Sequence, residues 1–257
     1  MLRFLAEHRV AVAPQVAQLL GVTERTAATR LARLGELGLI SFERIFDGQP
    51  AAASIRGPGL RQVGSLLPPP RVDLKGYRHD VGVGWLWLAA NGGGFGSLSA
   101  VVSERQMRSH DMRAPLGGEP FGVGIVGLDS FGRQARHYPD LLLTTQGGER
   151  VAVELELTAK STRRLDTIMR GYAGDPRIDG VLYVVSSAHL ERIITAAATR
   201  AGITDLVRVH RLAGGRIHGA EPRGRRTAQA GRGDARPHTT GPRETPARQP
   251  AQLELRL

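Results

Sequence analysis

His137-Tyr138-Pro139-Asp140-Leu141-Leu142-Leu143, a turn at Gln146-Gly147-Gly148, and then Val151-Ala152-Val153-Glu154-Leu155-Glu156-Leu157-Thr158-Ala159-Lys160 form the stretch whose reading decides the fold. Two apolar runs around a glycine turn read as a β-hairpin. Side chains alternate faces along a strand, so Val151, Val153, Leu155 and Leu157 are expected on one buried face. Glu154, Glu156, Thr158 and Lys160 then share the other, a wet face at a sheet edge. Asp140 opens the neighbouring strand and reaches the same polar side. Three carboxylates and an ammonium at one end of a hairpin suit a divalent-metal site for phosphodiester hydrolysis. The plainer reading is a charged face that keeps an edge strand soluble.

Working outward on the C-terminal side, Leu165, Ile168, Met169 and Tyr172 mark one face of a helix over 161–173. A fully apolar strand follows over 181–185, then a helix over 189–201 and a strand over 206–212. Upstream, a helix is expected over 77–90, with Trp85 and Trp87 packing on this second domain. Residues 97–108, which include Glu104, fit strand or helix equally, and 114–134 read as glycine-rich and irregular. Within them Gly122-Val123-Gly124-Ile125-Val126-Gly127 matches a dinucleotide fingerprint in letters only, since Asp129-Ser130-Phe131-Gly132 breaks any helix that should follow.

Pro68-Pro69-Pro70 sits in a stiff linker, 67–76, and divides this α/β unit (77–214) from an N-terminal unit (1–66). There the pattern predicts helices over 2–9, 14–20 and 24–37, with Pro14 in a first turn and Thr23 as an N-cap. Strands over 39–46 and 52–55 and a short helix over 58–66 follow. Ala27, Leu31 and Leu34 face inward at helical spacing. Arg25, Thr26, Thr29, Arg30 and Arg33 are left outside, with no acid between Arg25 and Arg33. From about residue 219 the chain is rich in Arg, Gly, Pro and Thr, and 219–257 is expected to be a disordered basic tail.

The chain has 257 residues and a formal net charge of +11, which favours a polyanionic partner. It has no cysteine, so disulfides and thiolate metal sites are excluded and a reducing cytoplasm fits. Neither a signal peptide nor a membrane span is expected. Only two of its basic side chains are lysines, Lys75 and Lys160, and the second falls in the acidic stretch, where a compact ammonium is not interchangeable with a guanidinium.

Three helices followed by a hairpin, with an Arg/Thr-rich third helix after Gly21-Val22-Thr23, resemble the winged helix-turn-helix domains of DNA-binding regulators. The resemblance implies that residues 24–37 lie in the major groove. The later segment, a Pro-Asp and then an acid-x-acid on an apolar strand before a helix, resembles the PD-(D/E)XK nuclease superfamily. More narrowly, the winged-helix start, His137-Tyr138-Pro139-Asp140, and Glu154-Leu155-Glu156-Leu157-Thr158-Ala159-Lys160 with arginines and a tyrosine in the next helix resemble the replication-relaxation family of plasmids and mobile elements. The fold class expected is α+β or α/β, a winged helix followed by a mixed-sheet nuclease-like domain.

By that resemblance Asp140 and Glu154 hold Mg²⁺, with Mn²⁺ as a substitute. Glu156 stands in the usual lysine position, where it can bind metal or activate water. Lys160 can supply a displaced ammonium, Glu104 is an additional ligand, and Arg163, Arg164 and Arg170 can hold flanking phosphates. The alternative is a non-catalytic regulator or replication accessory factor that uses a degenerate nuclease fold for binding. His79, His110 and His137 read as packed or hydrogen-bonded neighbours without ligand spacing. A glycosidase reading is weaker, because neighbours on one strand face do not flank a glycosidic bond. The expected partner is double-stranded DNA, with no membrane; oligomeric state, a homodimer included, stays open.

Overall fold

In the computed structural model, residues 1–113 and 118–212 are described, and the basic tail expected over 219–257 lies outside them. The chain is mixed α and β. The N-terminal unit runs α1 (Leu2–Glu7), β1 (Ala11–Val12), α2 (Ala13–Leu20), α3 (Glu24–Glu36), β2 (Ile40–Glu43), β3 (Ala52–Ile55) and α4 (Gly57–Gln62). Gly21 ends α2 at φ 63°, a left-handed cap that glycine adopts without strain. Thr23 caps α3, its hydroxyl accepting from Thr26 N at 3.2 Å. Ala27 and Leu31 then fall on the buried side of α3 and pack with Phe4, Leu5, Val16, Ile40 and Ile55. The strands form an antiparallel sheet in the order β1-β3-β2. The two-residue strand β1 was not legible in the apolar pattern, and the hairpin arm expected over 39–46 is shorter.

α5 (Tyr77–Asn91) follows the linker and is buried on two sides. Leu86 and Ala90 pack on the main sheet, while Leu88 joins the N-terminal core. Trp85 also packs on that core, and Trp87 touches both clusters, its ring 5.4 Å from Phe4. The expectation that both tryptophans belong to the second domain is therefore corrected. A helix held between two cores has no single apolar stripe, and that hid its double role. Gln15 of α2, fully buried, fastens the contact by donating to Val81 O at 2.7 Å and accepting from Val12 N at 3.0 Å.

The ambiguous stretch resolves into both elements in turn, β4 (Leu98–Ser103) and then α6 (Glu104–Arg113). The stretch read as irregular contains β5 (Val123–Leu128), paired with β6 (Gln134–His137), so the fingerprint-like letters lie in a strand with no helix after it. Then come β7 (Leu141–Thr145), β8 (Arg150–Glu156), α7 (Thr162–Ala173), β9 (Gly180–Val185), α8 (Ala188–Ala201) and β10 (Val207–Arg211).

The main sheet has five strands in the order β10-β9-β8-β7-β4. β4, β7 and β8 are antiparallel neighbours, and β8, β9 and β10 run parallel through the α7 and α8 crossovers. On one face Leu142, Ala152, Val181, Tyr183 and Val185 pack against α7 and α8. On the other, Leu141, Leu143, Val153 and Leu155 pack with residues of α5. Each fully buried aliphatic side chain contributes about 1.5–3 kcal/mol of transfer free energy. This arrangement corrects the expected sheet edge: β8 is the central strand, and Val151 through Glu156 are buried on both faces. No described helix is long and apolar enough to cross a membrane.

Candidate functional site

The β7–β8 register pairs Leu141 with Val153, which sets Asp140 opposite Glu154. Strand alternation places Glu154 and Glu156 with Ala152, toward the α7/α8 layer, while Asp140 precedes β7 and turns its carboxylate to His79 of α5. The wet face expected for these acids is an interior one. Asp140 is 9% exposed, Glu154 3% and Glu156 5%. Burying a carboxylate without partners is costly, so each must be paired.

Each acid has its own partners. Asp140 Oδ2 accepts from Leu155 N at 2.8 Å and lies 3.1 Å from His79 Nε2 of α5. Glu154 Oε1 meets His137 Nε2 at 2.5 Å and accepts from the Tyr172 hydroxyl at 2.5 Å. Glu156 Oε2 accepts from Lys160 Nζ, which reaches back from the loop between β8 and α7. The second oxygen of each carboxylate receives no hydrogen bond from the described residues.

The electrostatics follow from these pairs. Burial opposes charge on His79, yet hydrogen bonds and the charges of Asp140 and Asp80 raise its pKa to about 10. Burial would push Glu154 up; the His137 imidazole, the Lys160 ammonium and the Tyr172 hydroxyl outweigh it, leaving the carboxyl below its ordinary 4.5. Burial wins at Glu156, which sits above its ordinary value despite Lys160. Lys160 is raised because Glu154 and Glu156 outweigh its own burial.

Glu104, expected as an extra ligand, is turned elsewhere. It opens α6, and its carboxylate binds Arg9 at 2.8 Å and Arg108 at 2.7 Å. Arg9 also approaches Asp80 at 3.5 Å, so an ion network joins the N-terminal unit to α5 and α6. Asp140 lines the narrow cleft between these elements, whose volume of about 20 Å³ admits roughly one water.

The arginine sets are separate from the acids. Arg25, Thr26, Thr29, Arg30 and Arg33 are all exposed on α3. Thr29 donates to Arg25 O within the helix, and Arg33 pairs with Glu36 at 2.8 Å, which leaves Arg25 and Arg30 as the cations with no ion pair among the described residues. Arg163, Arg164 and Arg170 are exposed on α7, whose first turn is capped by Ser161.

His79 and His137 prove to be the hydrogen-bonded neighbours that their spacing suggested, but their partners are the acids of the site. Tyr172 looked like one more apolar residue of α7. Its phenol was the available signal, since a buried hydroxyl needs an acceptor and Glu154 on the facing strand supplies one. Carboxylate oxygens are the donor type that Mg²⁺ prefers. In this conformation no group of three or more His, Asp and Glu side chains among the described residues is arranged to hold a metal ion. Each acid is instead drawn to its own base. No family model, curated protein or solved structure matches the chain.

Proposed function

We propose that this chain binds double-stranded DNA through residues 1–66, folded as a winged helix-turn-helix, and that its second unit is a PD-(D/E)XK-like domain that nicks or cleaves DNA with Mg²⁺. The observation that carries the DNA reading is α3, a capped helix with a buried Ala27/Leu31 side and an exposed face of Arg25, Thr26, Thr29, Arg30 and Arg33. Three helices and a hairpin in chain order support the winged-helix assignment. Helix, three antiparallel strands, helix and parallel strand, with Asp140 at the second strand and Glu154-x-Glu156 on the third, support the nuclease-like one. Both halves together are the basis for grouping the chain with replication-relaxation proteins of plasmids and mobile elements.

Asp140 and Glu154 would hold Mg²⁺, or Mn²⁺ in its place, with Glu156 as a further oxygen donor. A metal bound there supplies a Lewis acid and an activated water. The protein's own groups do the rest. His79, His137 and Lys160 hold the three carboxylates in place. Lys160, freed from Glu156, can place its ammonium against charge building on a phosphate. Arg163, Arg164 and Arg170 can hold flanking phosphates on the same side of the sheet as α7.

A second reading rests on a specific observation: every acid already has a basic partner, and Glu156 occupies the usual lysine position. On that reading the domain binds DNA without cutting it, as a regulator or replication accessory factor. The two readings share the α3 interface, which is tested by fluorescence anisotropy on a duplex. Arg25→Ala and Arg30→Ala should each weaken binding roughly five- to tenfold and reduce the salt slope by about one. Unchanged affinity and slope in both variants would remove α3 from the interface.

A further inference from the structure

β5 and β6 form an arm outside the main sheet, and its two ends have opposite character. At the root Val123 and Ile125 are buried against α7, where Gly171 allows an approach so close that a Cβ there would lie 3.0 Å from Gly124 O. At the tip Val126, Leu128 and Phe131 are 82%, 71% and 76% exposed. The tip is nonetheless a built turn. Asp129 Oδ1 accepts from Phe131 N at 2.9 Å and Arg133 N at 3.0 Å, and Gly132 takes φ 72°. A hydrogen-bonded arm end that holds three large apolar groups in water adds nothing to the core, and such patches mark binding surfaces.

The surroundings point to the occupant. Arg133 stacks its guanidinium 5.2 Å from the Phe131 ring centre and pairs with Asp129, the one acid of the turn. The helix against which the root packs exposes Arg163, Arg164 and Arg170. Two copies meeting tip to tip would set Arg133 against Arg133. Three side chains also fall far short of the roughly 800 Å² per partner that a stable dimer buries. The arm leads into the site as well: β6, about 10 Å long, runs from the turn to His137, the partner of Glu154.

We propose that this tip is a DNA wedge, with Leu128 and Phe131 pressing on a base step in a groove while Arg133 and the α7 arginines hold the adjacent phosphates. The wedge rests on the DNA-binding reading above. It distorts the duplex at a fixed reach from Asp140 and Glu154, and so selects deformable steps rather than a base-edge code.

The test uses the full chain and a closed circular plasmid relaxed by a metal-independent topoisomerase in EDTA, which keeps metal-dependent cleavage silent. Wild-type protein should shift the topoisomer distribution. The Leu128→Ser/Phe131→Ser double variant should lose that shift while still retarding the plasmid within about threefold of wild type, since phosphate contacts dominate affinity. Retardation by wild type without a topological shift, or a full shift by the double variant, would overturn the wedge alone. Absence of retardation by wild type would instead overturn the DNA-binding reading beneath it. A wild-type dimer that the double substitution turns into monomer in sedimentation would assign the tip to self-association and also overturn the proposal.

Discussion

Tyr172→Phe removes one oxygen from a fully packed ring and leaves the ring in place. That hydroxyl donates to Glu154 Oε1 at 2.5 Å, and Tyr172 is 1% exposed. A hydrogen bond to a buried charge is worth about 1.5–3 kcal/mol, and the space vacated is too small to admit a replacement donor. For a folded body of this size each kcal/mol shifts Tm by about 2–4 °C, so the variant should melt about 3–12 °C lower near neutral pH. The loss has a pH signature. Glu154 is held below its ordinary 4.5, so its ionised form adds stability above that value and loses it as pH falls through the depressed one. The variant's deficit should be complete at neutral pH and shrink on acidification below about 4.5 as Glu154 takes up its proton. Thermal unfolding followed by circular dichroism across that range reads both effects. A Tm within a degree of wild type, or a deficit that stays constant into acid, would refute the view that Tyr172 stabilises a buried anion.

Two further substitutions and one titration address other joints of the structure. Gly84→Ala lies mid-helix, where propensity alone predicts a gain of about 1 kcal/mol. A Cβ there would sit 2.6 Å from Gln15 Nε2, which is fixed by its bond to Val81 O, so we expect a loss of about 1–3 kcal/mol in urea unfolding, and an unchanged or higher midpoint would contradict the close approach. His79, raised to about 10, should keep constant ring-proton shifts between about pH 6 and 8, where an ordinary histidine titrates. Its pKa lies above the unfolded value, so its contribution is full below 6.5 and fades as pH rises through about 10. Because a third of the side chain is exposed, that contribution is on the order of 1 kcal/mol. A midpoint near 6.5 by NMR, unaltered in Asp140→Asn, would break the pairing. Arg9→Ala should separate the N-terminal unit from α6 by removing the bond to Glu104, seen as faster amide exchange in α1 and the first turn of α6. Identical exchange would make that ion network incidental.

Local pattern carried much of the fold. Ala27 and Leu31 at helical spacing, Thr23 before them, and the two apolar runs around Gln146-Gly147-Gly148 all describe contacts within a few residues, and each element stands where the pattern placed it. What was hidden depends on partners far along the chain. Glu154 and Glu156 alternate with apolar residues and so resemble a wet face. They are covered because β9, α7 and His137 bring in Tyr172, Tyr183 and an imidazole. β5 was hidden by its glycines, which remove the side chains that alternation is read from. Trp85 and Trp87 announced burial but not which core would receive them. Among the candidate residues, Glu154 and Glu156 alternate onto one face of β8, Asp140 adjoins that strand through Leu155 N, and Lys160 reaches Glu156 from a loop rather than along the strand. Glu104 departs, because Arg9 from the other unit claims it.

The most direct measurement is the conversion of supercoiled plasmid by purified protein with Mg²⁺ or Mn²⁺. The account predicts nicked or linear product that EDTA abolishes and that disappears in both Asp140→Ala and Glu154→Gln, while each variant still retards duplex DNA. Plasmid left fully supercoiled under both metals by a wild-type protein that binds it, or cleavage that survives in either variant, would contradict it.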